Sequence, residues 1–157
     1  MKISKRPKIG DLVEIRIDKL FAYAQYTHKH KIYGALLRIF DEMYGERPQS
    51  FQNLISGKVR FSTFFPLQAA LSEGIFEVVG NIPIRKDLRE FPVFRSGVTN
   101  PETKKVDIWW LWDGEKEWKV GKLDEKQRKF PIRGVWNDTL LIQRIKSGWT
   151  PETDPAT

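Results

Sequence analysis

Between Lys8 and Asp41 the chain reads KIGDLVEIRIDKLFAYAQYTHKHKIYGALLRIFD, and this stretch restricts the fold more than any other. Ile9, Val13, Ile15 and Ile17 fall on odd positions with Glu14 and Arg16 between them, a period of two that turns one face inward and one toward water. A first strand is predicted there. Leu20 to Tyr26 alternates large residues with alanine, and Ile32 to Phe40 is apolar on both faces with Arg38 as its only charge. The third strand is therefore expected to be central and covered on both sides. Asp18-Lys19 suits a hairpin connection and His28 to Lys31 a polar reversal, so an antiparallel meander is expected to start near the N-terminus.

Lys58 to Phe65 alternates again, with Val59, Phe61, Thr63 and Phe65 on one face, and reads as a fourth strand. Pro66 stands where a first helical residue would, Leu67, Ala70 and Leu71 share a face, and Gly74 closes the run, which predicts a short helix over Pro66 to Glu73. Ile75 to Gly80 reads as a short apolar strand. Residues 84–105 carry Pro92, Gly97, Pro101 and many charges, too broken for a long element, and are expected to be mostly irregular. Ile108, Trp110 and Trp112 alternate before Asp113-Gly114, and Trp118 and Val120 alternate after it, the pattern of a hairpin. Asn137 to Lys146 has a cap in Asn137 or Asp138, Leu141 and Ile145 four apart, and Gly148 as a stop. That predicts a C-terminal helix, with a buried strand as the alternative because Leu140 to Ile142 is continuously apolar.

With 157 residues the chain is long enough for one self-sufficient domain, placed at residues 1–150, followed by a disordered tail at 151–157 that has two prolines and no core-forming residue. No apolar run approaches the roughly 20 residues of a membrane span. The N-terminal MKISKRPKIGD lacks the apolar segment of a secretory signal, and the absence of cysteine excludes disulfides and thiolate metal sites. A cytoplasmic location is expected. Lysine and arginine exceed the acidic residues to give a formal charge of +7, which favours acidic proteins and polyanions as partners without choosing between them. The densest basic clusters are Lys2 to Lys8, Lys29 to Lys31 and Lys126 to Lys129.

Catalytic patterns are sparse. His28 and His30 are the only histidines, and the lysines around them oppose a cation, so a solvated turn is expected rather than a metal site. Asp11, Glu14 and Asp41 would give paired carboxylates if the meander brought them together; the alternative is that Asp11, beside Gly10, caps backbone N–H groups at a turn. There is no GxxxxGK[ST], GxGxxG or GxSxG. Neither a cofactor nor a catalytic group is assigned. Trp109, Trp110 and Trp112 stand on one hairpin arm, and alternation sets Trp109 on the face opposite the other two. Exposed, such rings suit base stacking on single-stranded nucleic acid or the anchors of a protein interface; buried, they cover core.

KIGDLVEIRI, the FAYAQY that follows it, the run ending ALLRIFD and the later FFPLQAALSEGIFEVVGNIPI together resemble the immunity protein 26 family of bacterial polymorphic toxin systems. The matching residues are Lys8, Gly10, Asp11, Tyr23, Ala24, Phe40, Asp41, Gly80, Asn81 and Pro83, within a stretch of about residues 7 to 95. The resemblance implies a non-enzymatic cytoplasmic protein that binds and neutralises a cognate toxin domain. Residues 96–157 have no counterpart in it. The opening Lys-x-Gly-Asp strand is also similar to small SH3-like barrels that bind nucleic acid, which supplies the alternative function.

The expected fold is α+β, mainly antiparallel β, as a strongly curved sheet or SH3-like barrel with one short helix and a C-terminal helix. The expected partner-binding residues are Tyr23, Tyr26, Asp41, Trp109 and Trp112, the aromatic ones as anchors left partly exposed.

Overall fold

The structure, a computed structural model, describes residues 6–157; the start of the Lys2 to Lys8 cluster and of the N-terminal stretch read for a secretory signal lies outside them. Five antiparallel strands, β1 (Asp11–Ile17), β2 (Leu20–His30), β3 (Gly34–Phe40), β4 (Val59–Phe65) and β5 (Phe76–Asn81), form one sheet in the order β4-β3-β2-β1-β5. The meander and both later strands therefore lie where the sequence patterns predicted them. β2 runs on through the histidines, because a bulge between Tyr26 and His28 lets the polar end of the strand keep pairing with β3. The reversal falls at Lys31 to Tyr33 and ends in Gly34, whose φ of 84° suits a residue without a side chain.

Of the two expected forms, strongly curved sheet or barrel, strand pairing does not close the sheet into a barrel. Consecutive strands β4 and β5 lie at opposite edges, and the helix α2 (Leu67–Ser72) joins them across one face instead of letting them pair. On that face Val13, Ile15, Ala24, Leu37, Ile39, Phe61 and Phe65 pack beneath Leu67 and Ala70 of α2 and beneath Leu141 and Ile145 of α3 (Asp138–Ser147). α3 is the predicted C-terminal helix: the Asn137 side chain accepts from the Leu140 N–H at 2.8 Å, and Gly148 ends it in the left-handed conformation. Leu140 to Ile142 is thus helix rather than strand.

The other face is covered in three parts. At one end Leu12, Tyr23 and Phe40 pack against Leu54 of the single-turn helix α1 (Gln52–Ile55). In the middle runs a buried polar row of Gln25, Thr27, Arg38 and Ser62. Arg38 meets no carboxylate there; it donates to Thr27 Oγ1 (3.1 Å), Ser62 Oγ (3.2 Å) and the carbonyl oxygens of Leu88 (3.4 Å) and Glu90 (3.2 Å). It thereby fixes the 84–91 excursion to the sheet. At the far end Leu36 and Phe64 meet Phe94 and Trp112 of a second sheet.

That second sheet is β6 (Phe94–Ser96), β7 (Trp109–Trp112) and β8 (Glu117–Gly121), antiparallel in the order β6-β7-β8. The hairpin β7-β8 was predicted. Residues 84–105 are mostly irregular, as expected, and β6 is the one short strand within them, with Pro92 and Gly97 just outside it. Its middle residue, Arg95, is fully buried and donates to the carbonyl oxygens of Phe130 (3.2 Å) and Pro151 and to Thr157 Oγ1 (3.0 Å). Residues 151–157, expected to be disordered, are consequently tied down: Pro151–Thr153 forms a 3-10 turn capped by Thr150, and Asp154 accepts from Trp149 Nε1 at 3.0 Å.

Candidate partner-binding site

Four of the five expected binding residues belong to the interior. Tyr23 is wholly buried, its hydroxyl donating to Glu14 Oε2 at 2.8 Å, and Tyr26 packs in the main core under the helices. Burial, and the Glu14 carboxylate beside it, push the Tyr23 phenol pKa up. Trp109 lies on one face of the second sheet against Leu111 and Leu123, beneath the Arg95 guanidinium 4.7 Å from its ring. Trp112 lies on the opposite face among Leu36, Phe64 and Phe94. Only Asp41 is exposed, at the end of β3 with its carboxylate 3.6 Å from Arg60 Nε. The structure does not bring these five together, and burial removes the four aromatic residues from the surface as anchors.

The carboxylates do not converge either. Asp11 Oδ2 accepts from the Lys8 N–H at 2.8 Å and Oδ1 from Asn81 Nδ2 at 2.9 Å, the turn-capping alternative read from the sequence. Glu14 sits on the other face, held by Arg47 at 2.8 and 3.0 Å. The Arg47 bonds keep its pKa below the ordinary carboxylate range in spite of burial. Each histidine ring is spent on backbone, His28 Nε2 on the Arg89 oxygen and His30 Nε2 on the Gly114 oxygen, both at 2.8 Å. No group of three metal-ligating side chains occurs among the described residues.

What the hairpin does present is Trp110. A bulge between Trp109 and Trp110 offsets the arm from β8, and Trp110 is 38% exposed where Trp112, two residues on along the same face, is 6% exposed. The difference has a simple cause: Trp112 lies over Phe64 and Leu36 of the large sheet, whereas Trp110 projects past that cover. Beside it stand Ile108 and Val98, the latter 89% exposed, and together with Ser96, Gly97, Asp107, Glu117, Lys119 and Arg133 they line a groove of about 560 Å³.

Local chemistry shapes the hairpin that carries the groove. Asp113 Oδ1 accepts from the N–H groups of Glu115 (2.9 Å) and Lys116 (2.8 Å), which fixes the turn below it. Gly114 has φ of 102°, and a Cβ there would lie 2.9 Å from the Phe91 ring, so only glycine fits. Gly97 is needed for close approach, since a Cβ would collide with Val106 and sit 2.9 Å from the Ile108 oxygen. The rim is of mixed sign. Arg133 pairs with Glu117 at 2.9 Å and lies 5.4 Å over the Trp112 ring, Lys119 stands opposite Trp110 in the register, and Asp107 accepts from Asn100 at 3.0 Å.

Trp110, Ile108 and Val98 were not among the residues expected to bind a partner. The available signal was the clustering of tryptophans on one arm; which of them stays exposed depends on where the large sheet ends, and local alternation does not contain that. No family model, no curated protein and no solved structure matches the chain.

Proposed function

We propose that this protein binds and neutralises a toxin domain, as the resemblance to the immunity protein 26 family implies, and that the Trp110 groove is the surface that engages it. The single observation that carries the proposal is a half-exposed tryptophan, set between exposed Ile108 and Val98 on a hairpin whose turn is locked. Protein interfaces concentrate affinity in such anchors: a large aromatic ring with little rotamer freedom to lose, apolar neighbours to exclude water, and a charged rim to select the partner. The rim, with Asp107 and Glu117 beside Lys119 and Arg133, favours a toxin surface of complementary mixed charge.

A nucleic-acid role for the same groove is weaker on electrostatic grounds. Lys119 and Arg133 would attract a phosphate, but Asp107 and Glu117 share the rim and Glu117 already neutralises Arg133. The test is affinity capture with the tagged protein from its native cells at low and high salt, followed by mass spectrometry and nucleic-acid quantification. One toxin-bearing protein retained through high salt supports neutralisation. Nucleic acid alone, released as salt rises, overturns it.

A further inference from the structure

A second cleft, of about 670 Å³, opens where the main core reaches the surface beside the β2-β3 reversal. Its floor is Phe65, Leu67 and Ala35, with Tyr26 buried beside them, and one wall is the start of α2. Ile9 and Val135 border it at 46% and 53% exposure, apolar surface that nothing in the described residues covers. Its size falls within the range of small-molecule sites, which are mostly apolar with a few convergent polar groups.

The polar groups here have one sign. Arg6 and Lys29 lie on the rim, no lining residue is acidic, and neither cation has an ion pair among the described residues. Tyr26 and Tyr33 also line the cleft, and neither hydroxyl has a hydrogen-bond partner among the described residues, so both remain available as donors. The nearby carboxylate, Asp11, is buried and committed to Lys8 N–H and Asn81. An apolar floor beneath unpaired donors and cations fits a ligand with a greasy body and a negative head.

We infer that this cleft is a binding site for a small amphiphilic carboxylate, its apolar body on Phe65 and Leu67 and its head toward Lys29, Arg6 and the tyrosine hydroxyls. The site is separate from the Trp110 groove and does not depend on the toxin-binding proposal. The test uses isothermal titration calorimetry of the full chain with octanoate, and with octylammonium and octanol as matched probes.

Octanoate is expected to bind and octylammonium not to bind. Reversing both rim charges (R6E with K29E) should weaken octanoate at least about tenfold, the scale of two lost charge interactions at a partly exposed site. Ala69→Trp, an exposed wall position, should block the cleft without entering the core, while Trp110→Ala should leave octanoate unchanged. Octylammonium binding as well as octanoate, octanoate affinity unmoved by Ala69→Trp, or no octanoate binding at all would each overturn the inference.

Discussion

Asn81 Nδ2 donates to Asp11 Oδ1 at 2.9 Å, joining two positions 70 residues apart. The same amide donates to the Ile9 oxygen at 3.1 Å, the Ile82 N–H donates to the Gly10 oxygen at 3.0 Å, and the Gly10 N–H reaches the Tyr26 oxygen at 2.7 Å. Three strands of the large sheet are tied at this one corner, β5 by its last residue. The Lys-x-Gly-Asp and Gly-Asn-x-Pro segments, met separately in the sequence, are thus one structural unit whose task is to hold β5 on the edge of β1.

Replacing Asn81 with alanine is expected to cost about 1–3 kcal/mol, because it leaves the buried Asp11 carboxylate and the Ile9 carbonyl short of a donor. Gly10→Ala should be destabilising too, since Gly10 has φ of 95° and an added Cβ would stand 3.1 Å from both Asn81 Oδ1 and the Ile82 oxygen. Urea unfolding midpoints check both; wild-type midpoints would show that the corner contributes nothing.

Arg95→Met should destabilise the protein by about 3 kcal/mol or more, as several charge-assisted bonds to buried carbonyls are lost at once. Burial lowers the Arg95 pKa to about 10, so the group is still charged at neutral pH and its three acceptors are oxygens without formal charge. The local signature separates this from a general loss. Amide hydrogen exchange should speed up first in residues 150–157, and uniform change across the chain would contradict the account.

These two examples also mark how far the sequence could be read. Strand β1 was legible because its two faces differ in polarity, β2 because large residues alternate with alanine, β3 because an apolar run is bounded by turn residues, and α3 because cap, spacing and stop residue agree. Arg95 was not, since a charge between Phe94 and Ser96 looks like surface, and its burial depends on acceptors 35 and 56 residues away. Whether the sheet closes was not legible for a related reason: local periodicity predicts strands, but whether β4 meets β5 depends on where α2 crosses. The hairpin tryptophans show the limit most directly. Alternation placed Trp110 and Trp112 on one face, and only the extent of the facing sheet makes one core and the other surface.

Stability should fall with acid in two steps. Burial, with the Arg38 cation adding to it, lowers the His28 pKa below its ordinary 6.5, against the opposing bond to the Arg89 oxygen. Above pH 6.5 the ring is neutral folded and unfolded, and its full stabilisation is present. As pH drops from 6.5 toward the lowered native value, the unfolded chain takes the proton first and stability is lost. Glu14, whose pKa is lowered from 4.5, adds a second loss only below that pH. Unfolding midpoints at pH 7.5 and pH 5.5 should differ less in His28→Gln than in wild type; an equal difference would remove His28 from the explanation.

Trp110 and Trp112 make unequal predictions from neighbouring positions on one face. Trp112→Ala should cost about 3–5 kcal/mol by emptying the space among Phe64, Phe94 and His30. Trp110→Ala should cost clearly less than Trp112→Ala, because 38% of the residue is already exposed in the folded state and less apolar area is lost. Thermal or urea unfolding of the pair checks this directly.

The decisive measurement is titration of the captured toxin domain against wild-type protein, Trp110→Ala and Val98→Asp, with growth of cells that co-express toxin and variant read in parallel. Both variants are expected to fold as wild type, to bind at least about thirtyfold more weakly, the loss typical of a central anchor, and to leave the cells unprotected. Wild-type affinity and full protection in both would contradict the assignment of the Trp110 groove as the neutralising surface.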